Sequence, residues 1–534
     1  MPTKSNSPGC RAWVLRSVLL IGFLAHALAA HAADLPLWMI AGRPTAEAVQ
    51  AVRLLQSAGE EGLDPEDYQA GNLARLVDAG ARGAPLAAQD EAAVSAALTE
   101  TMEAYLSELH SGRVNPRAVH AAFDLPDKRF DAAATLRDAV AAHRLVQAAR
   151  AARPQLPLYA AMTQALARYR ALEADPALQQ PLAPLPQNKL EPGQEYAGLP
   201  ALAYRLAALG DFPAGADAGV GTRYEGALVD AVMAFQARHG LSADGIIGRN
   251  TYAQLNAAPA ARIRQIELTL ERLRWTPLMP DQRMIVVNVP EFVLRAYDAT
   301  DGGAHISMNV VVGKALDTRT PLFAEEMRYI EFSPYWNIPP SVARAETVPM
   351  LRRDPAYFTR QGLEFVSPDG KVISVLSQAS LDAVMEGRLR IRQRPGPENA
   401  LGDIKFVFPN NGNIYLHHTP AVQLFRRDRR DFSHGCIRVE APVALARFVL
   451  QDQPEWTEDR IVAAMKSGKS TTLRLKRTVP VLIAYATAIA RRDGKVYFFN
   501  DIYGNDALLG QALKAREKHP NSALRKLLAT LPTP

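Results

Sequence analysis

Cysteine is nearly absent: the 534 residues contain two, Cys10 and Cys436. That scarcity excludes a disulfide-stapled scaffold and the paired Cys-x-x-Cys clusters of structural zinc sites. No long tract is polar enough for wholesale disorder, since 48% of residues are hydrophobic and 22% charged. After the first 32 residues no apolar run approaches the length of a bilayer span. A chain this long exceeds a single hydrophobic core and predicts two to four domains.

What is present begins with the N-terminus. Lys4, Arg11 and Arg16 precede the apolar run VLLIGFLAHALAA, and Ala30 and Ala32 supply the small residues of a cleavage site. This pattern predicts a secretory signal cut after Ala32, hence a periplasmic protein, with an uncleaved membrane anchor as the alternative. Cleavage removes three positive and no negative charges, taking the net charge from +6 to +3. So small a surplus gives no reason to expect a nucleic-acid partner. Cleavage also removes Cys10 and leaves Cys436 alone in an oxidising compartment, where an exposed thiol is a hazard. Its neighbours His434, Gly435 and Arg438 are unlike an apolar burial site, so the thiol is read as kept for its chemistry.

Along the chain, residues 33–187 carry helical spacing, as in TAEAVQAVRLLQSAGEEG, and predict a helical scaffold domain. The Pro-rich stretch 176–200 reads as a linker. Residues 188–258 contain Phe235-Gln236, His239-Gly240-Leu241, Asp244 to Gly248, and Thr251…Leu255-Asn256. These landmarks resemble the small three-helix peptidoglycan-binding domain of bacterial wall enzymes. From residue 283 the pattern changes to alternating strands, RMIVVNVPEFVLRAYD and HISMNVVVG. A β-rich domain is expected over 283–475, with an inserted lid at about 340–400 and C-terminal strands and a tail over 476–534. The whole is multi-domain α+β.

The chemistry gathers in IYLHHTPAVQLFRRDRRDFSHGCIRVE, residues 414–440. A thiol becomes a useful nucleophile when an imidazole or backbone dipole takes its proton or steadies its anion. His417, His418 and His434 are the available bases, and the amides of Gly435 and Cys436 offer an oxyanion site. Three histidines and a cysteine also make a zinc set, though without the usual pair spacing. A Cys-His wall-peptide hydrolase is a second alternative, but there the Cys precedes the His. Arg426, Arg427, Arg429, Arg430 and Arg438 suit an anionic substrate.

The order His…Ser-His-Gly-Cys-Ile-Arg resembles the active-site motif of the L,D-transpeptidases, the YkuD-type domain. SPYWNIPPSVAR, RQRPGPENALGDIKFVFPN and IAYATA…DGKVYFFNDIYG are similar to its YcbB-like branch. The resemblance implies Cys436 as acylated nucleophile, His417 as general base, and His434 and Gly435 on the oxyanion side. It gives the residue after the base, His418, an orienting role. Arg438, where many relatives carry Asn, and Arg392 and Arg394 of the insertion are substrate-binding candidates by their charge, alongside Trp336 and Ser433. It further implies 3→3 cross-linking of peptidoglycan stem peptides with release of D-Ala, without metal or other cofactor. Carbapenem-type β-lactams are implied as covalent inhibitors, and other wall-synthesis proteins as partners. Hydrolysis of wall peptides and non-catalytic wall binding are the competing functions.

Overall fold

The structure is a computed structural model and describes residues 36–120, 123, 128–213, 221–276, 283–298, 304–315 and 318–516. The expected signal, with Cys10 and the Ala32 cleavage point, lies outside them, as does the tail beyond residue 516. Among the described residues no helix is long and apolar enough to cross a membrane.

Two compact units form. The first takes in residues 36–113 and 128–155 with Ala515 and Arg516. Its main helices are α1 (Ala46–Gln56), α2 (Ala70–Arg82), α3 (Ala88–Ser111), α4 (Ala132–Ala141) and α5 (Leu145–Ala152). Thr45 and Asp131 start α1 and α4 by accepting the amides of Ala48 and Ala134, caps worth about 1 kcal/mol each. Leu55, Leu73, Leu98, Met102 and Leu136 fill the core behind these helices.

The second unit takes in the described residues among 114–127 and 156–514. It opens with α6 (Pro157–Glu173), followed by α7 (Leu199–Leu209), α8 (Ala227–Arg238), α9 (Arg249–Leu255) and α10 (Pro259–Trp275). The expected helical domain of residues 33–187 therefore ends too late. The α6 stripe of Tyr159, Met162 and Leu166 is covered by Ile263, Ile266 and Leu270 of α10. Spacing reveals an apolar stripe but not its partner. The expected linker is also corrected, because Leu182, Leu190 and Tyr196 are buried in the core of α7–α9. In that small domain Gln236 donates to Asp244 and Ile246 and accepts from the Gly245 amide. The Phe-Gln and Asp-Gly landmarks thus hold a turn together.

The strands are β1 (Met284–Asn288), β2 (Val293–Tyr297), β3 (Ala304–Gly313) and β4 (Phe323–Phe332). An inserted subdomain contributes β5 (Trp336–Asn337), β6 (Leu363–Val366), β7 (Val372–Ile373) and β8 (Arg390–Gln393). Then come β9 (Ile404–Val407), β10 (Leu416–His417), β11 (Asp431–Ser433), β12 (Ile437–Val439), β13 (Thr471–Ala484), β14 (Ala488–Ala490) and β15 (Val496–Phe498). The main sheet runs β11-β3-β12-β10-β9-β4-β13-β1-β2, and β2 also pairs with β3, closing the sheet on itself. Closure leaves few free edges and buries one face of every strand. Ile285, Val310, Ile330, Phe332, Ile404, Phe406, Leu416, Ile437 and Val481 make that interior.

The domain boundary expected at residue 475 falls inside β13, which pairs with both β4 and β1. Its first half is polar and exposed while its second half is apolar, so composition changes midway along one strand. The insertion forms its own sheet, β5-β8-β6-β7, around Ile338, Leu351, Phe365, Leu381 and Ile391. Its first helical run passes from Pro340–Val342 through a π turn, Ala343–Thr347, into Val348–Arg353. Pro349 has no N–H for the regular ladder, which accounts for the wider turn before it.

Candidate active site

Strand alternation gives the main sheet one apolar and one polar face. Register aligns Glu331, Lys405, His417 and Arg438 in one row across β4, β9, β10 and β12. Their chain neighbours Ile330, Phe406, Leu416 and Ile437 point into the core and are fully buried. Tyr415 lies two residues before His417, and Cys436 two before Arg438, so both share the polar face. The parallel pairing of β10 with β12 sets His417 opposite Arg438 and leaves Cys436 as its diagonal neighbour.

A turn built by Asn410 frames the thiol. Its amide donates to the carbonyls of Phe408 and Ile414 and accepts the Ile414 N–H. Asn413 takes a positive φ of 51°, tolerable for asparagine, and its carbonyl lies 3.7 Å from Cys436 Sγ. Tyr415, next to Cys436 across the ladder, favours the thiolate through its main-chain N–H and hydroxyl. Burial pushes the thiol up, while those donors and the charges of Lys405 and Arg438 pull it back.

His417 is buried, and its Nδ1 meets the main-chain carbonyl of His418. That contact fixes the proton on Nδ1 and leaves Nε2 as the ring's acceptor. Burial, with the nearby Arg438 charge, lowers His417 to about 3. Among the described residues no hydrogen bond joins Sγ to the imidazole; sulfur faces Asn413 and Tyr415. The resting arrangement is therefore a neutral thiol beside a neutral imidazole. The His418 ring accepts the Asp403 amide at 3.3 Å, so the carbonyl and not the ring touches His417.

The other expected residues divide. The His434 ring is away from sulfur: its Nε2 lies 2.7 Å from Glu346 Oε1, in the π turn of the insertion. Gly435 donates its N–H to Ser433 Oγ at 3.2 Å, which corrects the reading of that amide as an oxyanion donor. Its role is conformational, for φ is +111° and a Cβ there would meet Ile414 at 3.2 Å. Thr320 holds the Gly435 carbonyl at 2.7 Å. Ser433 is buried and donates to the Cys436 carbonyl, so it braces the turn and is not open to a substrate.

Arg438 does keep capacity. Its Nε has no internal partner among the described residues, and Glu440 instead accepts the Asn309 amide at 3.0 Å. Arg392 is corrected: it is on a strand, pairs with Glu364 and stacks 4.1 Å from the Tyr335 ring centre. Arg394 is exposed and reaches the Gly362 carbonyl. Trp336 packs partly buried against the insertion core. Sequence reasoning missed Tyr415 and Lys405, although both occupy polar positions flanked by apolar strand residues. Among the described residues no cluster of three or more His, Cys, Asp or Glu side chains is suited to a metal ion.

Three family models match the chain. Residues 282–481 match the L,D-transpeptidase catalytic domain of the YkuD family. Residues 30–166 match a scaffold domain, and 197–255 the family described as "Putative peptidoglycan binding domain". A Haemophilus influenzae protein described as "Putative L,D-transpeptidase" is 32% identical over 250 residues, 47% of this chain. The chain spans about half the length of that relative, 49%. Residues 282–481 are thus similar to the L,D-transpeptidase catalytic domain, and a region similar to a peptidoglycan-binding domain stands ahead of them.

Proposed function

We propose that this protein works outside the cytoplasm as an L,D-transpeptidase that forms 3→3 cross-links between peptidoglycan stem peptides. The observation that carries the reading is the shared polar face: one thiol and one buried neutral imidazole on adjacent parallel strands, with the insertion touching the same motif at His434.

In this reading Cys436 Sγ attacks the carbonyl joining the L-centre of the third stem residue to the terminal D-Ala. Its proton passes to His417 Nε2, and the tetrahedral oxygen takes hydrogen bonds from main-chain amides beside sulfur, that of Tyr415 among them. Collapse breaks the amide bond, D-Ala leaves with the proton from His417, and a thioester remains. The side-chain amine of a second stem then attacks the thioester, giving its proton to His417 as the new amide forms. The thiolate recovers that proton, and no metal or nucleotide is consumed. Arg438, with unpaired donor capacity at the site, supports recognition of a substrate carboxylate. The insertion serves as a lid that favours amine over water.

The signal-like N-terminus supports a periplasmic location, and the peptidoglycan-binding domain supports attachment to the wall. Carbapenems, as acyl-donor mimics, are expected to acylate Cys436. The test is incubation of the mature protein with purified disaccharide-tetrapeptide and mass analysis of products. A cross-linked dimer with loss of D-Ala supports the proposal. Tripeptide alone makes the protein a hydrolase, and unchanged substrate with wall binding makes it a scaffold.

A further inference from the structure

Beside Cys436 stands a phenol that a cysteine–histidine pair does not supply. Tyr415 and Cys436 lie side by side because the Ile437 amide bonds to the Tyr415 carbonyl at 3.0 Å. Leu416 and Ile437 then pair, turning their side chains to the core and those of Tyr415 and Cys436 to the polar face. The Tyr415 ring stands edge-on to His417, with centres 5.7 Å apart. Lys405 Nζ sits 4.4 Å from the centre of the Tyr415 ring and 3.2 Å from Glu331 Oε2.

We propose that Tyr415 is a further catalytic residue, whose hydroxyl steadies the Cys436 thiolate, and that Lys405, held by Glu331, positions and polarises that phenol. The inference rests on the transpeptidase reading, with Cys436 as nucleophile, and names residues that reading does not contain. Its physical need follows from His417. A buried, neutral imidazole placed diagonally takes the proton but offers the departing charge no direct hydrogen bond in the resting arrangement. Tyr415, the ladder neighbour of Cys436, brings a phenol to the same face, and charge-assisted hydrogen bonds are about twice as strong as neutral ones. An ammonium over the ring withdraws electron density and makes the phenol a better donor. Burial and the neighbouring thiolate hold Tyr415 protonated, well above the ordinary tyrosine range. The charged or titratable groups facing the thiol are then Tyr415, Lys405 with Glu331 behind it, Arg438 and His417. His434 and Glu346 pair with each other.

The competing view is that Tyr415 only packs. The mature protein, wild type and variants, is titrated by the rate of Cys436 alkylation with iodoacetamide against pH. Tyr415→Phe should move the midpoint upward by about one pH unit, a roughly tenfold loss of rate at a fixed pH below it. Lys405→Met should move it the same way by less, and Lys405→Arg should restore it. A folded Tyr415→Phe protein with the wild-type midpoint overturns the proposal. If that variant does not fold, an unshifted Lys405→Met midpoint overturns it instead. Wild-type protein that alkylates but never forms a thioester with a stem-peptide donor defeats the transpeptidase reading, while the midpoints still decide the role of Tyr415.

Discussion

Replacing His417 with glutamine should make the protein less sensitive to acid. Burial lowers His417 to about 3, whereas an unfolded histidine titrates near about 6.5. Above about pH 6.5 the ring is neutral in both states and its contribution is intact. As pH falls below that value the unfolded chain takes up the proton first, so stability drains away until the folded ring titrates near about 3. Between about pH 7.5 and about pH 5 the loss from this ring is about 2 kcal/mol. Glutamine retains an amide donor for the His418 carbonyl but cannot titrate. Urea unfolding at both pH values, followed by tryptophan fluorescence, measures the loss; Trp456 reports from the sheet, stacked 5.1 Å from Phe332. His239 and His120 are also held low by burial, but they titrate alike in both proteins and cancel. Wild type should lose about 2 kcal/mol more than His417→Gln across this interval. Equal losses would refute the placement of a buried neutral ring.

Gly435→Ala should cost about 1–3 kcal/mol through its positive φ, with added crowding against Ile414, and should suppress carbapenem acylation; thermal melts and adduct mass read both. Asp211→Asn leaves buried Arg238 without its carboxylate partner, a loss of about 3–5 kcal/mol visible in urea unfolding. Glu346→Gln removes the charge facing His434 and should slow stem-peptide cross-linking more than iodoacetamide alkylation of Cys436. Equal slowing would mean that the contact does not serve the lid.

The motif residues were legible because their chemistry is unusual: one thiol, a glycine beside it, and histidines ending a strand. The apolar run MIVVN and the β-rich VLRAY likewise declared β1 and β2. What stayed hidden depends on partners. Nothing in Arg392 says that Glu364 and Tyr335 have already taken its guanidinium. The Gly435 amide looks available until the Ser433 hydroxyl is placed against it. Lys405 reads as an ordinary exposed strand residue, and only register brings it into the row of His417. The β13 boundary misled for a related reason, since a strand polar in one half and apolar in the other breaks a rule that assumes one environment per element.

The position of β13 also governs when the site can exist. It enters the sheet between β4 and β1, yet its residues, 471–484, follow those strands and the cysteine motif alike. The wall of strands behind Cys436 stays open until this late segment arrives, and loop-closure entropy must be met before its pairings return any energy. A nascent chain that already displays Ser-His-Gly-Cys therefore lacks the closed sheet that positions it.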